Sequence, residues 1–281
     1  MLLPVLYALG AAISWGLADF GAGLKSRTLP LVVVMFWIQA LGCAASGALV
    51  LATGAPLPTP HQALASLAAG AVGVAGLALF YRALATGTMS VVAPIGATGV
   101  ALPVLVGVLG GDRLSGAQAL GLLAAVLGVV AASRQAPGAD GGRGSARRSV
   151  GLALLAALGF GGYFVASHAG VRGGLAWLLL LSHAVALVSV LAVAVALRAP
   201  LAAPRSQRAS LLCIGVLDLS ATALYGLANR HGLLSVVAVV GSLYPAATVV
   251  LARIALRERV GRLQAAGIGL ALAGVGLIAG G

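Results

Sequence analysis

Acidic side chains inside long apolar segments are the residues of this sequence with the clearest chemical potential. Two of the five acids, Asp19 and Asp218, lie within such segments. Asp218 is followed by Thr222, Tyr225 and Asn229 at spacings of 4, 3 and 4 residues, which places all four on one helical face. This polar stripe predicts a cavity wall, with Asp218 or Asp19 as the candidate proton-coupling carboxylate. The alternative is a hydrogen-bond network that only fixes helix packing.

Aromatic side chains are the second group of candidate binding residues. Trp15 precedes Asp19 by four residues, so the two share a helical face. Aromatic rings beside acids favour an amphipathic or cationic solute, although Trp and Tyr also occur in interfacial belts. The complete set of predicted solute-binding residues is Trp15, Asp19, Tyr81, Tyr163, Asp218, Thr222, Tyr225, Asn229 and Tyr244.

Catalytic and metal-binding patterns are not found in the sequence. The four histidines show neither HxxxH nor HExxH spacing, and no Walker-type phosphate loop is present, so we expect no metal site, cofactor or catalytic residue. Ser182 and His183 are adjacent, but neighbouring positions on a helix point apart. His183 either faces a cavity or packs in the interior. An intramembrane enzyme and a non-transporting sensor or structural protein remain the alternatives to a transporter.

Composition indicates the environment of these residues. Hydrophobic residues make up 61% of the 281 and charged residues only 8%, whereas about 25% is usual in soluble domains. Lipid must therefore face most of the surface. The net charge of +12 comes from basic residues at the ends of apolar segments, which favours contact with lipid head groups over nucleic acid.

The apolar segments predict an all-α integral membrane protein with ten transmembrane helices. A polar, basic linker over residues 134–148 separates two five-helix halves, 1–133 and 149–281. The predicted spans are 2–24, 31–52, 62–85, 89–109, 115–133, 149–169, 175–197, 208–230, 233–256 and 262–280.

The two halves are related by an internal repeat. Residues 90–96 (SVVAPIG) correspond to 235–241 (SVVAVVG) at an offset of 145, and Tyr81 corresponds to Tyr225 at an offset of 144. An odd number of spans per half inverts the second half in the membrane, as in many secondary transporters. Pro94 and Pro245 lie inside the repeated fourth and ninth spans, where proline removes a helix hydrogen bond, so we predict hinges there.

The repeated motifs resemble the EamA family of the drug/metabolite transporter superfamily. The matching residues are Ser14-Trp15-Gly16, Phe80-Tyr81-Arg82-Ala83-Leu84-Ala85, Ser90-Val91-Val92-Ala93-Pro94, Gly111-Asp112-Arg113-Leu114-Ser115, Leu243-Tyr244-Pro245 and Arg257-Glu258-Arg259. The resemblance implies ten helices in two inverted repeats, and export or exchange of small metabolites, amino acids or drugs by alternating access. Asp112 stands where the family usually has Glu, and Phe160 stands where a tryptophan would correspond to Trp15.

Basic residues are distributed unevenly among the connections. Connections after odd-numbered spans hold twelve of the seventeen, whereas those after even-numbered spans hold only Arg113, Arg172 and Arg230. The positive-inside rule then predicts a cytoplasmic linker and both termini outside, while the family resemblance implies both termini inside. Sixteen arginines to one lysine are typical of a GC-rich bacterium, which predicts the cytoplasmic membrane. The expected partners are a small-molecule solute, membrane lipids and protons, and a homodimer is left open.

Overall fold

The computed structural model describes residues 2–112, 114–132, 143–256 and 261–280, and within these ranges all regular secondary structure is helical. Short 3₁₀ turns cover Thr98–Val100 and Val171–Gly173. The α-helices, in chain order, are α1 Leu2–Lys25, α2 Leu31–Thr53, α3 Pro60–Thr86, α4 Met89–Ala97, α5 Ala101–Leu109, α6 Gly116–Ala132, α7 Arg143–Gly170, α8 Leu175–Ala196, α9 Arg205–His231, α10 Leu234–Gly241, α11 Tyr244–Ala255 and α12 Arg262–Gly280.

Seven helical segments of the described chain are long and apolar enough to cross a membrane. They correspond to α1, α2, α3, α7, α8, α9 and the combined α10–α11. These helices carry apolar side chains to their outer surfaces: Leu51 is 85% exposed and Ile254 is 73% exposed. Large apolar groups on the outside of a helical bundle indicate lipid as the surrounding solvent, and the chain is therefore a multi-pass membrane protein.

The predicted linker 134–148 is partly helical. Helix α7 begins at Arg143, six residues before the predicted span, while residues 133–142 lie outside the described part of the chain. Arginine is a good helix former, so a helix can continue past the apolar segment that determines its membrane-crossing part. Hydropathy locates the lipid-facing portion of a helix rather than its end.

Two of the predicted spans are broken helices. The fourth is interrupted by the 3₁₀ turn Thr98–Val100 and the ninth by Ser242 and Leu243. Pro103 and Pro245 lie in the first turns of the helices that follow, where the missing N–H needs no helical partner. The first-half break lies between Pro94, whose backbone is within α4, and Pro103, and Pro94's side chain is outside the described part.

Helix packing follows the internal repeat. The repeat relates α1 to α7 and α3 to α9, and in the structure α1 packs along α9 while α3 packs along α7. Helices that the repeat relates to each other also pack together, α2 against α8 and α6 against α12. The two halves are thus interleaved, and their shared interior is lined by helices from both.

The bundle has two opposite ends, which we name by their arginine content. At the arginine-rich face, Lys25 Nζ donates a hydrogen bond to Gln207 Oε1, and the hydroxyls of Thr86 and Ser149 are 3.3 Å apart. At the arginine-poor face, the Trp177 indole N–H donates to the Ala55 carbonyl at 3.1 Å. Each of these contacts joins the two halves.

A carboxylate of the first half caps a helix of the second half at the arginine-poor face. Asp112 Oδ2 accepts hydrogen bonds from the backbone N–H of Ser235 at 3.0 Å and from its hydroxyl at 2.7 Å. Ser235 is the second residue of α10, and the N-cap residue Leu233 makes no side-chain cap. Asp112 therefore supplies the acceptor and the negative charge that a helix N-terminus favours.

We predict that Asp112→Ala lowers the free energy of unfolding by about 1–2 kcal/mol, because two donors at the start of α10 lose their acceptor. The measurement is unfolding in mixed detergent micelles, followed by circular dichroism. Asp112→Asn is the matched control, since it keeps an acceptor oxygen and should lose less. Equal stability of Asp112→Ala and the wild type would show that this cap does not stabilise the contact between the halves.

Candidate functional site

A central cavity of about 90 Å³ lies between the two halves. Helices α1, α2 and α3 of the first half and α7, α8, α9 and α11 of the second half contribute its walls. The lining residues are Trp15, Asp19, Gln39, Ala69, Gly70, Gly73, Val74, Leu77, Phe160, Tyr163, Phe164, Ser182, His183, Ala186, Asp218, Thr222 and Tyr244. In this conformation the volume suits a few water molecules or a small solute group.

Both candidate carboxylates face this cavity from opposite halves. Asp19 on α1 is 5% exposed and Asp218 on α9 is 8% exposed. Because both side chains line the same small cavity, negative charges on the two carboxylates would repel each other. Tyr81 lies beside Asp19, although its hydroxyl has no partner within hydrogen-bond distance. Two buried acids at one cavity favour a bound cation, a proton or both.

A histidine completes the polar group around Asp218. His183 Nε2 lies 3.7 Å from Asp218 Oδ2, while its Nδ1 is 2.8 Å from the Leu179 carbonyl oxygen. A carbonyl can only accept a hydrogen bond, so Nδ1 carries a proton and Nε2 is the nitrogen that faces Asp218. The ring packs directly on Gly42 of α2, where any side chain would overlap it. No third His, Cys, Asp or Glu among the described residues joins them to form a metal site.

Aromatic rings form two clusters at the cavity. In the first, Tyr225 lies 5.4 Å from Trp15 and 4.9 Å from Phe164 between ring centroids, and Tyr163 packs against all three. In the second, Phe160 lies 5.2 Å from Phe80 and 6.0 Å from Tyr244. Such edge-to-face and tilted pairs stabilise the interior and present ring faces that attract cations.

The structure brings six of the nine predicted binding residues to the cavity surface. These six are Trp15, Asp19, Tyr163, Asp218, Thr222 and Tyr244. Tyr81, Tyr225 and Asn229 are buried and do not line it. Tyr225 packs within the first aromatic cluster, and the Asn229 amide donates to the Tyr225 carbonyl at 3.1 Å. Within the predicted polar stripe, Asp218 and Thr222 therefore line the central cavity, whereas Tyr225 and Asn229 are buried beyond it.

Several cavity residues were outside the predicted binding set, and for one of them, His183, facing a cavity was one of two expectations. Gln39 on α2, Ser182 and His183 on α8, and the rings of Phe160 and Phe164 on α7 all line it. Gln39 and His183 are polar residues within apolar spans, which was a usable signal. The repeat places Phe160 at the position of Trp15, which was also a usable signal. Phe164 gave no polar signal, because an apolar residue on an apolar helix does not indicate which face is turned inward.

Comparison with known proteins agrees with this architecture. The model of the EamA-like transporter family matches residues 2–134 and again 147–280. A solved crystal structure shares the fold with a TM-score of 0.75 at 20% identity, over 98% of this chain and 97% of that chain. No curated protein matches this sequence. Because the family match covers both halves, almost from end to end, the chain belongs to the EamA-like transporter family.

Proposed function

We propose that this chain is a secondary transporter which moves a small amine-bearing metabolite, amino acid or amphiphilic drug across the membrane by alternating access. The observation that carries the proposal is the central cavity, where two buried carboxylates from opposite halves meet two aromatic clusters. Carboxylates and ring faces both attract an ammonium group, and the apolar walls accept the remainder of the solute. A site shared by both halves changes its access when one half moves against the other.

Proton exchange at Asp218 and His183 is the proposed coupling step. With Nδ1 protonated, His183 Nε2 either accepts a proton held by Asp218 or carries one and pairs with the Asp218 carboxylate. The pair therefore holds at least one proton whenever the two side chains are hydrogen-bonded. A cationic solute that binds Asp218 would release this proton, which links solute binding to the proton gradient.

The broken helices support the proposed motion. In the fourth and ninth segments, helix pairs α4–α5 and α10–α11 meet at interruptions beside Pro103 and Pro245. We propose that all ten segments cross the membrane, with hinges at these interruptions, the first of which lies between Pro94 and Pro103 and the second beside Pro245. We further propose a bacterial cytoplasmic membrane, export as the direction, and domain limits of 1–133 and 149–281 around the 134–148 linker. The low cost of turning a helix at an existing break supports the hinge assignment.

We predict that purified protein in proteoliposomes transports ethidium or radiolabelled basic amino acids faster when a pH gradient is imposed. Asp218→Asn should reduce gradient-driven flux by about tenfold or more, because the exchangeable proton is lost. Solute exchange without a gradient should fall less, because Asp19 still supplies a carboxylate for the solute. Asp19→Asn should weaken both, since it removes charge that attracts the solute.

The matched control is Asp112→Asn, which removes an acid that caps α10 and does not line the cavity. Its flux should remain close to wild type. Flux that survives both Asp218→Asn and Asp19→Asn with full gradient dependence would contradict the proposed coupling. Absence of flux for every solute tested would contradict the transporter proposal itself.

A further prediction concerns the position of the imidazole. Gly42→Ala places a methyl group into the His183 ring, so the ring must move away from Asp218 and gradient-driven flux should fall by about tenfold. Gly47→Ala on the same helix is the control, because its added carbon meets only Leu180 Cδ1 at 3.7 Å. The measurement is the ratio of flux with and without the pH gradient. An unchanged ratio in Gly42→Ala would mean that the His183 position does not matter.

A further inference from the structure

A second cavity, of about 680 Å³, lies at the arginine-poor face, and we name it the vestibule. Its walls come from the α2–α3 connection, the end of α7 with the following turn, and the end of α9. The lining residues are Ala55, Pro56, Leu57, Pro58, Gln62, His168, Val171, Arg172, Gly173, Gly174, Asn229 and Arg230. The volume is within the range of small-molecule sites.

The charge of the vestibule is unusual for this face. Connections after even-numbered spans contain only three arginines, and two of them, Arg172 and Arg230, line this one cavity. The twelve basic residues of the opposite face follow the uneven distribution that the positive-inside rule describes, whereas Arg172 and Arg230 lie at the face where basic residues are few. No acid is present among the vestibule's lining residues, so its potential is positive. The two arginines therefore require another role.

The floor of the vestibule is a hydrogen-bonded pair of polar side chains, Asn229 and His168. The Asn229 amide nitrogen donates to the Tyr225 carbonyl, which leaves its Oδ1 to accept from His168 Nδ1 at 3.0 Å. His168 Nδ1 is thus the donor of this hydrogen bond, and the pair fixes the position of both side chains beneath the two arginines. Asn229 is 5% exposed, so this part of the site is held in a buried position.

The vestibule and the central cavity follow one another along α9. Asn229 lines the vestibule and Thr222 lines the central cavity, seven residues and about 10 Å apart along the helix axis. Tyr225 lies between them, packed with Trp15 and Phe164. The first aromatic cluster therefore separates a positively charged compartment from a compartment that carries two acids.

We propose that the vestibule is a binding site for the carboxylate of the solute, held by Arg172 and Arg230. Guanidinium groups bind carboxylates through paired hydrogen bonds, and the walls between them accept a small apolar body. Together with the acidic central cavity, which attracts an ammonium group, this points to an amino-acid-like zwitterion as the substrate class. The inference rests on the proposed transport function for its meaning, but the binding itself is measurable without transport.

The test is binding of 5-carboxyfluorescein to the full chain in nanodiscs of phosphatidylcholine, measured by fluorescence anisotropy against empty nanodiscs. Arg172→Gln and Arg230→Gln should each weaken binding about threefold, and the double variant about tenfold. Arg253→Gln removes the same charge from an exposed position on α11 that does not line the vestibule, and should bind like the wild type. Succinate should displace the dye.

Three results would overturn the vestibule site: no binding by the wild type, equal weakening in Arg253→Gln, or displacement by dihexanoyl phosphatidylglycerol but not by succinate. The last result would assign the arginines to a lipid head group. Proteoliposome flux measurements on the wild type and on Asp218→Asn distinguish failure of the vestibule site from failure of the proposed transport function. If dye binding depends on the arginines while no solute is transported, the transporter proposal fails and the vestibule remains. If transport is proton-coupled but the double variant binds the dye normally, only the vestibule fails.

Discussion

The inability of lipid to solvate polar groups is the constraint on which this structure depends. Hydrocarbon offers no hydrogen bonds, so each acid or histidine within a span must face a partner or a cavity. Asp19, Asp218 and His183 meet this condition in one place, the central cavity between the two halves. The same condition explains why the described backbone is helical. It also explains why backbone groups at a helix end, which find no partner within the helix, are capped by other residues, as Asp112 caps α10 at Ser235.

Duplication gives a symmetric scaffold with asymmetric chemistry. The offset of 145 that relates Trp15 to Phe160 also relates Asp19 to Phe164. The offset of 144 that relates Tyr81 to Tyr225 also relates Val74 to Asp218. All four of these aligned acid and apolar positions line the central cavity. Each half thus contributes one acid and one apolar residue at equivalent places. The interleaved packing of α1 with α9 and α3 with α7 brings the two acids together, which neither half could do alone.

The two compartments along α9 differ in the charge of the residues that line them. Arginines at the arginine-rich face satisfy the orientation rule, while Arg172 and Arg230 lie together at the opposite face over a hydrogen-bonded floor. On the other side of the first aromatic cluster, the central cavity carries the two acids Asp19 and Asp218. A solute with both charges would meet a complementary group in each compartment, so both sites follow from one substrate class. Movement of the rings of the first aromatic cluster would then open the path between the vestibule and the central cavity.

Much of this protein was predictable from residue types in order along the chain. Apolar length located the helical segments, the repeat of Ser90–Gly96 at Ser235–Gly241 indicated the duplication, and an acid inside an apolar span marked Asp19 and Asp218 as inward-facing. These features are local or periodic, and the free energy of lipid exposure determines them directly. The membrane-crossing count of ten stays a prediction.

Other features depend on contacts between residues far apart in sequence, and the periodicity of residue types along a helix does not predict such contacts. The proximity of His183 to Asp218 within the second half, the packing of Tyr81 and Tyr225 behind the cavity surface, and the break at Thr98–Val100 all arise where separate helices meet. The sequence by itself determined which segments are helical in lipid and which polar residues must turn inward. Only the tertiary structure decided which of those residues share a cavity, because helix rotation and close approach depend on the packing of both halves together.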